Sequence, residues 1–568
     1  MNEGQLKALV ETFGHPLLID TSHHKETQFY FTLQGKNRRW RTRFFFDDLF
    51  PYSLPHVFLL EEDMIGTIPH VNVEGLLCID VSDSVIVDYT CPGALISTII
   101  ESAVDLLDLG SLKVNRMELT DEYEGFFEPI SNRIPGNVIG ANMPQKVYLK
   151  IWRPTNGKQT AGEPFLVYDD GQALPEQYSN FTQANAFQTI KAVYIPTQYP
   201  MLPPQGTNNL DSKYIYDILS LVEAPLLKEI DKIISKFSSA REHYILFGLP
   251  RSKGMRSLVL FRMTSPKPML HPLKEKSLGW EVKTYLINRH DKGYLLERGG
   301  ADTKLLNSSV AIIGCGSVGS EISVMLAKAG IGHLILIDND FLEIDNIYRH
   351  RLGGRYLSYE PVQKIGKVPL FRKVNALANF LETELPYIQV DAIPKRAESI
   401  LSERALINAD VIISAVGSPG VNLYLNKAFK TAHFKKIVYC WNEAASAGGH
   451  ALSVNLDSSC YECQFWRTGK FSLASPLNLV MPGQHLTKNL TGCAGVFTPF
   501  SYLDSSQTAM ITTRLCIETI KNNALNKVVS WKNPNITGVG LTERYYEMAM
   551  IEETAYDKAC SCGVCHNG

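Results

Sequence analysis

Two cysteine pairs with C-x-x-C spacing stand late in the chain: Cys460 and Cys463 in CYEC, and Cys562 and Cys565 in CSCGVC. Four thiolates from two such knuckles suit a tetrahedral structural zinc ion, closed to substrate, with Cys560 left as a spare. Cys493 is of another kind. It stands alone on a glycine-flanked loop, NLTGCAGVFTPFS, where a thiol could attack an acyl-adenylate and displace AMP to leave a thioester. Earlier, SSVAIIGCGSVGSEISVMLAKAGIGHLILIDND holds a G-x-G-x-x-G-like loop of Gly314, Gly316 and Gly319 after a short apolar strand. Asp338 and Asp340 close the next apolar strand. Such a turn brings backbone N–H groups and a helix N-terminus to phosphates, and the acid about twenty residues on holds a ribose. NAD enzymes and some ATP enzymes share this layout, and the glycines do not choose between them.

The elements that must position these groups follow from length and pattern. At 568 residues the chain exceeds one core, and about three domains are expected. Its 45% apolar and 20% charged composition is that of a soluble globular protein. A net charge of −2 gives no reason to expect nucleic acid or membrane as the main partner. The start, MNEGQLKALVETFGHPLLID, has no basic leader and no apolar run reaches spanning length, so a cytoplasmic location is expected. There the 11 cysteines read as thiols or metal ligands rather than as disulfides. Cys315, Cys440 and Cys516 lie in apolar contexts and are assigned to the core.

Three blocks emerge. Residues 1–130 read as an α+β domain: an amphipathic helix, the strand-like QFYFTLQ, RTRFFFDD and HVFLLEE, then a closing helix at GALISTIIESAVDLLDLG. NRIPGNVIGANMPQ reads as a boundary loop near residue 135. Residues 140–285 read as a linking domain of strands with a helix near 213–238, with no chemistry assigned. Residues 290–568 alternate strand and helix as a doubly wound α/β sheet does.

Past the acid pair, FLEIDNIYRHRLGG and PVQKIGKVPLFRK make a resemblance specific. Residues 290–568 resemble the adenylation domain of ubiquitin-activating enzymes and their ThiF/MoeB relatives, whose signature is D-x-D, an N-L-x-R-Q-like segment, then a Gly-Lys-rich helix start. The resemblance implies that Asp338 holds the ATP ribose and that Asn346 and Arg349 face the phosphates, where an Arg fork stabilises phosphoryl charge. It implies a phosphate-binding lysine too. The family's position, counted from Gly366, is Pro369, so Lys367 or Lys364 substitutes. Gly417 stands where the family carries an aspartate for Mg2+, which leaves more of that contact to Asp340. Relatives carry the paired cysteine knuckles and place an acceptor cysteine on a mobile segment, which fits structural Zn2+ at the knuckles and Cys493 as acceptor.

FPYSLPHVFLLEEDMIGTIPHVNVEGLLCIDVSDSVIVDYTCPG resembles the centre of a ubiquitin-conjugating enzyme. Phe50, Pro51 and Pro55 match its F-P-x-x-x-P segment; His70 and Asn72 match H-P-N, with Val71 for proline; Gly75, Cys78 and Asp80 match G-x-x-C-L-D. The resemblance implies Cys78 as the conjugating thiol, with Cys91 as fallback, and Asn72 as hydrogen-bond donor to the oxyanion. Together the two modules resemble the activating–conjugating fusion of the bacterial CBASS antiphage system. That resemblance implies ATP-dependent activation of a protein C-terminus, thioester relay from Cys493 to Cys78, and conjugation to an amine on a target protein or small molecule. It implies as donor an extended C-terminal tail, that of a cyclic-oligonucleotide synthase (CD-NTase), and, since relatives build the adenylation site across a pair, a homodimer. An adenylyltransferase for sulfur transfer and a non-catalytic scaffold are the alternatives; an NAD-dependent dehydrogenase explains neither cysteine module.

Overall fold

The computed structural model describes residues 3–13, 17–18, 27–79, 88–138, 142–152, 163–169, 187–206, 210–252, 254–276, 279–357, 372–385, 387–401, 403–467, 470–490, 496–557 and 562–566. The chain divides into two compact units, Met1–Tyr294 and Leu295–Gly568.

The first unit opens with the amphipathic helix Glu3–Glu11 and an antiparallel sheet, β1 (Leu17–Leu18), β2 (Thr27–Gln34), β3 (Arg39–Phe46) and β4 (His56–Leu59), in that spatial order. Alternation does the work in β3: Trp40, Thr42, Phe44 and Phe46 turn inward while their neighbours face out, as period-two strands on a one-sided core must. The helix Pro92–Ser111 buries Ile96, Ile99, Ala103 and Leu107, a 3-4-4 spacing that lays one stripe on the sheet. Proline at its first position suits a helix start, where the missing N–H has no partner to lose.

Seven further strands close into a barrel: β5 (Asn132–Asn137), β6 (Gln145–Trp152), β7 (Glu163–Asp169), β8 (Phe187–Pro196), β9 (Ala240–Leu249), β10 (Ser257–Met269) and β11 (Glu281–Arg289), in the order β10-β11-β5-β7-β6-β8-β9. Two expectations are corrected here. NRIPGN is not a loop: it is β5, pairing parallel with both β11 and β7. Proline and glycine argued for a turn, and barrel closure overrode them. The helix expected near 213–238 is two, Ser212–Leu219 and Ala224–Ile234, divided where Pro225 begins the second.

β9 and β10 read as continuous apolar runs because both of their faces are covered. Leu246, Leu258 and Leu260 point into the barrel interior. Ile245, Phe247, Val259, Phe261 and Met263 join the core that also holds Phe29, Trp40, Phe44 and Phe127 of the N-terminal sheet and helices. Phe127 meets Phe261 edge to face at 6.3 Å between centroids, and the Leu258 N–H donates to Glu124 (2.8 Å). The N-terminal sheet and the barrel thus share one core.

The second unit is an eight-stranded sheet. β12 (Ser309–Ile313), β13 (His333–Ile337), β14 (Gln389–Ile393), β15 (Val411–Ser414) and β16 (Lys436–Asn442) run parallel in the order β14-β13-β12-β15-β16. β17 (Gly448–Asn455), β18 (Lys527–Lys532) and β19 (Ile551–Ala555) extend it antiparallel. The order reverses between β12 and β15, so the crevice for a ligand lies at the C-terminal end of β12. Among the described residues no helix is long and apolar enough to cross a membrane.

Candidate functional site

In the first unit a cleft of about 380 Å³ is lined by His56, His70, Val71, Asn72, Leu76, Leu77, Cys78, Leu119, Glu122, Gly125, Phe126 and Glu128. Its floor is a backbone turn. The Leu77 N–H donates to Val57 (2.8 Å) and the Cys78 N–H to the His70 carbonyl (2.8 Å), so the segment carrying Cys78 lies between β4 and residues 70–72. The turn closes at Gly75, whose φ of +86° suits glycine and where a Cβ would sit 2.4 Å from the Leu59 oxygen.

Within that turn the Asn72 Oδ1 accepts from the Glu74 N–H (3.0 Å) and the Leu76 N–H (2.9 Å). The backbone therefore holds the side chain by its oxygen, and it does so with valine rather than proline at position 71. Cys78 is exposed and lines the same cleft as Asn72. Cys91 is exposed too, but it stands before the helix Pro92–Ser111 and outside this lining. Asp80 lies outside the described residues.

His70 was matched in the sequence without a role. Its backbone is left-handed, at φ +63°. Its N–H donates to Glu122 (2.6 Å), its Nδ1 pairs with the other Glu122 oxygen, and its Nε2 lies 3.5 Å from Glu118. The bond to Glu122 is the largest cause raising the imidazole's pKa from its ordinary 6.5; burial opposes it, and attraction to both glutamates adds to it.

In the second unit a pocket of about 410 Å³ opens at the C-terminal end of β12, lined among others by Gly314, Gly316, Asp338, Asp340, Lys373, Lys395, Arg396 and Ser418. Gly314 has φ +89°, and a Cβ at Gly316 would meet nothing within 4 Å, so the loop backbone is bare toward the cavity. Gly319 instead packs: a Cβ there would stand 1.9 Å from the Gly314 oxygen. Asp338 accepts from the Cys315 N–H (2.8 Å) and the Asp340 N–H (2.8 Å), tying the glycine loop to the end of β13. His350 donates from Nε2 to the Cys315 carbonyl (2.8 Å) and accepts at Nδ1 from the Leu352 N–H (3.0 Å), an arrangement that requires the neutral ring. Burial pushes its pKa down to about 4.

The pocket's cations were missed in the sequence. Lys373 is buried, lies 3.2 Å from the Asp340 carboxylate, and donates its N–H to the Asp340 carbonyl (2.9 Å). It begins the helix Lys373–Glu384. Lys364, Lys367 and Pro369 lie outside the described residues. Asn346 caps a 3-10 turn, accepting from the Glu343 N–H (3.3 Å), and the Arg349 guanidinium lies 5.1 Å from the Phe500 ring centroid. Neither lines the pocket. Gly417 adopts φ +66° between two lining residues, Val416 and Ser418.

Cys460, Cys463, Cys562 and Cys565 converge, with all four sulfurs within 4.8 Å of one another. The Sγ separations are 3.8 Å for Cys460–Cys463, 3.5 Å for Cys460–Cys562 and 3.6 Å for Cys463–Cys565. A tetrahedron of Zn–S bonds of about 2.3 Å spaces its sulfurs at about 3.8 Å, so the set fits zinc. Disulfides would need about 2.05 Å. Cys315, Cys440 and Cys516 are fully buried, and burial raises each thiol's pKa, that of Cys440 to about 12. Cys493 and Cys560 lie outside the described residues.

Comparison with known proteins finds a family match for each unit. Residues 294–545 match the ThiF family and residues 8–133 match prokaryotic E2 family B. An ATP-dependent ubiquitin transferase-like protein Cap2 of Pseudomonas aeruginosa is 24% identical over 473 residues, 79% of either chain. Cap2 of Escherichia coli is 26% identical over 233 residues, 38% of this chain and 36% of that one. The sulfur carrier protein ThiS adenylyltransferase of E. coli is 28% identical over 28% of this chain and 59% of its own. Among solved structures, E. coli MccB with ATP matches at 21% identity and a TM-score of 0.32, over 48% of this chain and 69% of that one. With an E2-like domain and a ThiF-type adenylation domain on one polypeptide, this chain is a fused activating and conjugating enzyme homologous to the Cap2 ubiquitin transferase-like proteins.

Proposed function

We propose that the chain uses ATP to activate a protein's C-terminal carboxylate, carries the acyl group from Cys493 to Cys78 as thioesters, and delivers it to an amine. One observation carries this reading: an exposed thiol shares a cleft with an asparagine amide in a chain that also folds a glycine-loop pocket lined by three cations. In the pocket Gly314 and Gly316 take the phosphates, Asp338 the ribose, and Lys373, Lys395 and Arg396 balance phosphate charge. Asn346 and Arg349 retain their family role only as expectations of sequence. The exposed Asp340 carboxylate suits a magnesium ion, which supplies further charge neutralisation.

The carboxylate attacks the α-phosphorus and pyrophosphate leaves. Cys493, as thiolate, attacks the acyl carbon and AMP leaves; Cys78 then takes the acyl group and frees the Cys493 thiolate. A neutral amine attacks that thioester, Asn72 stabilises the oxyanion through its N–H₂, the Cys78 thiolate departs, and the proton the amine sheds passes to that thiolate or to water. Each thioester retains most of the activation, so direction comes from pyrophosphate release. The four-cysteine cluster holds a structural zinc. By resemblance to the CBASS fusions, the donor is the tail of a CD-NTase in antiphage defence, and the adenylation unit works as a homodimer.

Mass spectrometry after incubation with ATP and a CD-NTase tests the route. A thiol-labile adduct on Cys493 or Cys78 is expected, and Cys78→Ala abolishes conjugates while ATP–pyrophosphate exchange continues. Conjugates surviving Cys78→Ala, with Cys91 free of adduct, would remove the relay.

A further inference from the structure

We propose that His70 is a proton-dependent positioning residue for acyl transfer at Cys78, holding the Asn72 turn in place as an imidazolium clamped between Glu118 and Glu122. This rests on Cys78 being the conjugating thiol. Outside glycine, a left-handed residue is uncommon and persists where its surroundings hold it. At His70 what holds it is visible: one Glu122 oxygen accepts the main-chain N–H and the other meets Nδ1, so a single carboxylate grips both backbone and ring. The His70 carbonyl then accepts the Cys78 N–H, and two residues on the Asn72 N–H donates to the Leu76 carbonyl (3.0 Å). Displacement of His70 therefore moves the thiol-bearing segment and the asparagine relative to each other.

The clamp depends on charge. Only the imidazolium has two N–H donors; the neutral ring has one, and can serve Glu122 at Nδ1 or Glu118 at Nε2 but not both. Other ionisable groups facing the cleft are Glu128, which adds negative charge, and His56 and Cys78. The folded imidazolium's pKa lies above 6.5, because the two glutamates outweigh partial burial. The sign follows. The clamp is complete below that raised value and opens as pH rises through it.

The test uses the full chain with Cys91 and Cys493 changed to serine. Cys78 is loaded by thiol exchange with a glycine-ended peptide thioester and discharged onto free lysine from about pH 6.5 to 9. Intact mass follows both steps, and rates are divided by the fraction of unprotonated amine. The corrected rate with His70 present is expected to fall about tenfold as pH rises through the imidazolium's raised pKa, the scale of a misplaced catalytic group. Glu122→Gln moves that fall to lower pH. His70→Arg, whose side chain has room because His70 is 40% exposed, keeps its charge and gives a flat profile at the high level. His70→Asn gives a flat profile about tenfold lower. A His70→Asn profile matching that of the histidine chain would overturn the proposal. Failure to load Cys78 would instead remove the carrier thiol itself, and the positioning role with it.

Discussion

At the scale of single residues, a side chain outside the pocket lining holds the glycine loop by its backbone. This is His350: fully engaged as a neutral ring, it pins the Cys315 carbonyl at the entry to the glycine loop. Its pKa of about 4 in the folded chain, against 6.5 ordinarily, sets a pH dependence. Between these values the unfolded chain binds a proton that the folded chain refuses, so stability is whole above 6.5 and declines as pH falls toward 4. At about 1.4 kcal/mol per pKa step the loss is on the order of 3 kcal/mol. Thermal unfolding across that range should show it, with amide exchange rising first around residues 314–319, and His350→Gln should flatten the profile. In the sequence His350 was one letter of an R-H-R run. Its carbonyl partner is 35 positions away, and no local pattern announces it.

At the scale of elements, the glycine loop divides its labour between space and packing. Gly316 leaves room for a ligand, whereas Gly319 lets the helix Ser317–Ala329 settle against the end of β12. Gly319→Ala would force a Cβ to within 1.9 Å of a carbonyl oxygen, so the backbone must move. A lower melting temperature and lost nucleotide binding are expected together, at a cost of about 1–3 kcal/mol. Gly316→Ala meets no protein atom, so its melting temperature should stay within a degree or so while nucleotide affinity falls. Equal destabilisation of the two variants, followed by calorimetry, would contradict this division. The loop, the paired acids and their strands were legible because each is a short-range pattern. Lys373 was not: it meets Asp340 from the start of a helix 33 positions on, and no short-range pattern announces that meeting. β5 was misread for a related reason, since its partners β11 and β7 lie far along the chain.

At the scale of the whole molecule, distant segments are fastened together. The four-cysteine cluster joins two knuckles 102 residues apart, Cys460 to Cys562 and Cys463 to Cys565. About one zinc per chain is expected by elemental analysis. A strong chelator or Cys460→Ser should lower the melting temperature of the second unit while leaving chemical loading of Cys78 intact, since a closed tetrahedral site contributes folding energy rather than chemistry. A metal-free chain with an unchanged melting temperature would rule the zinc out. The sequence by itself determined which groups could do chemistry: a phosphate-binding pattern from glycine spacing and paired acids, a metal-ligand pattern from cysteine spacing, and a candidate thiol in Cys78 near its asparagine. These signals are local, written within a few tens of residues by the geometry of a turn or a strand end. Tertiary structure alone decided which groups share a cavity. It set His70 between glutamates 48 and 52 positions away, placed three unlooked-for cations in the lining of the glycine-loop pocket, and gave the N-terminal sheet and the barrel a common core. Side chains meet across space according to how whole elements pack, and residue spacing along the chain carries no record of that packing.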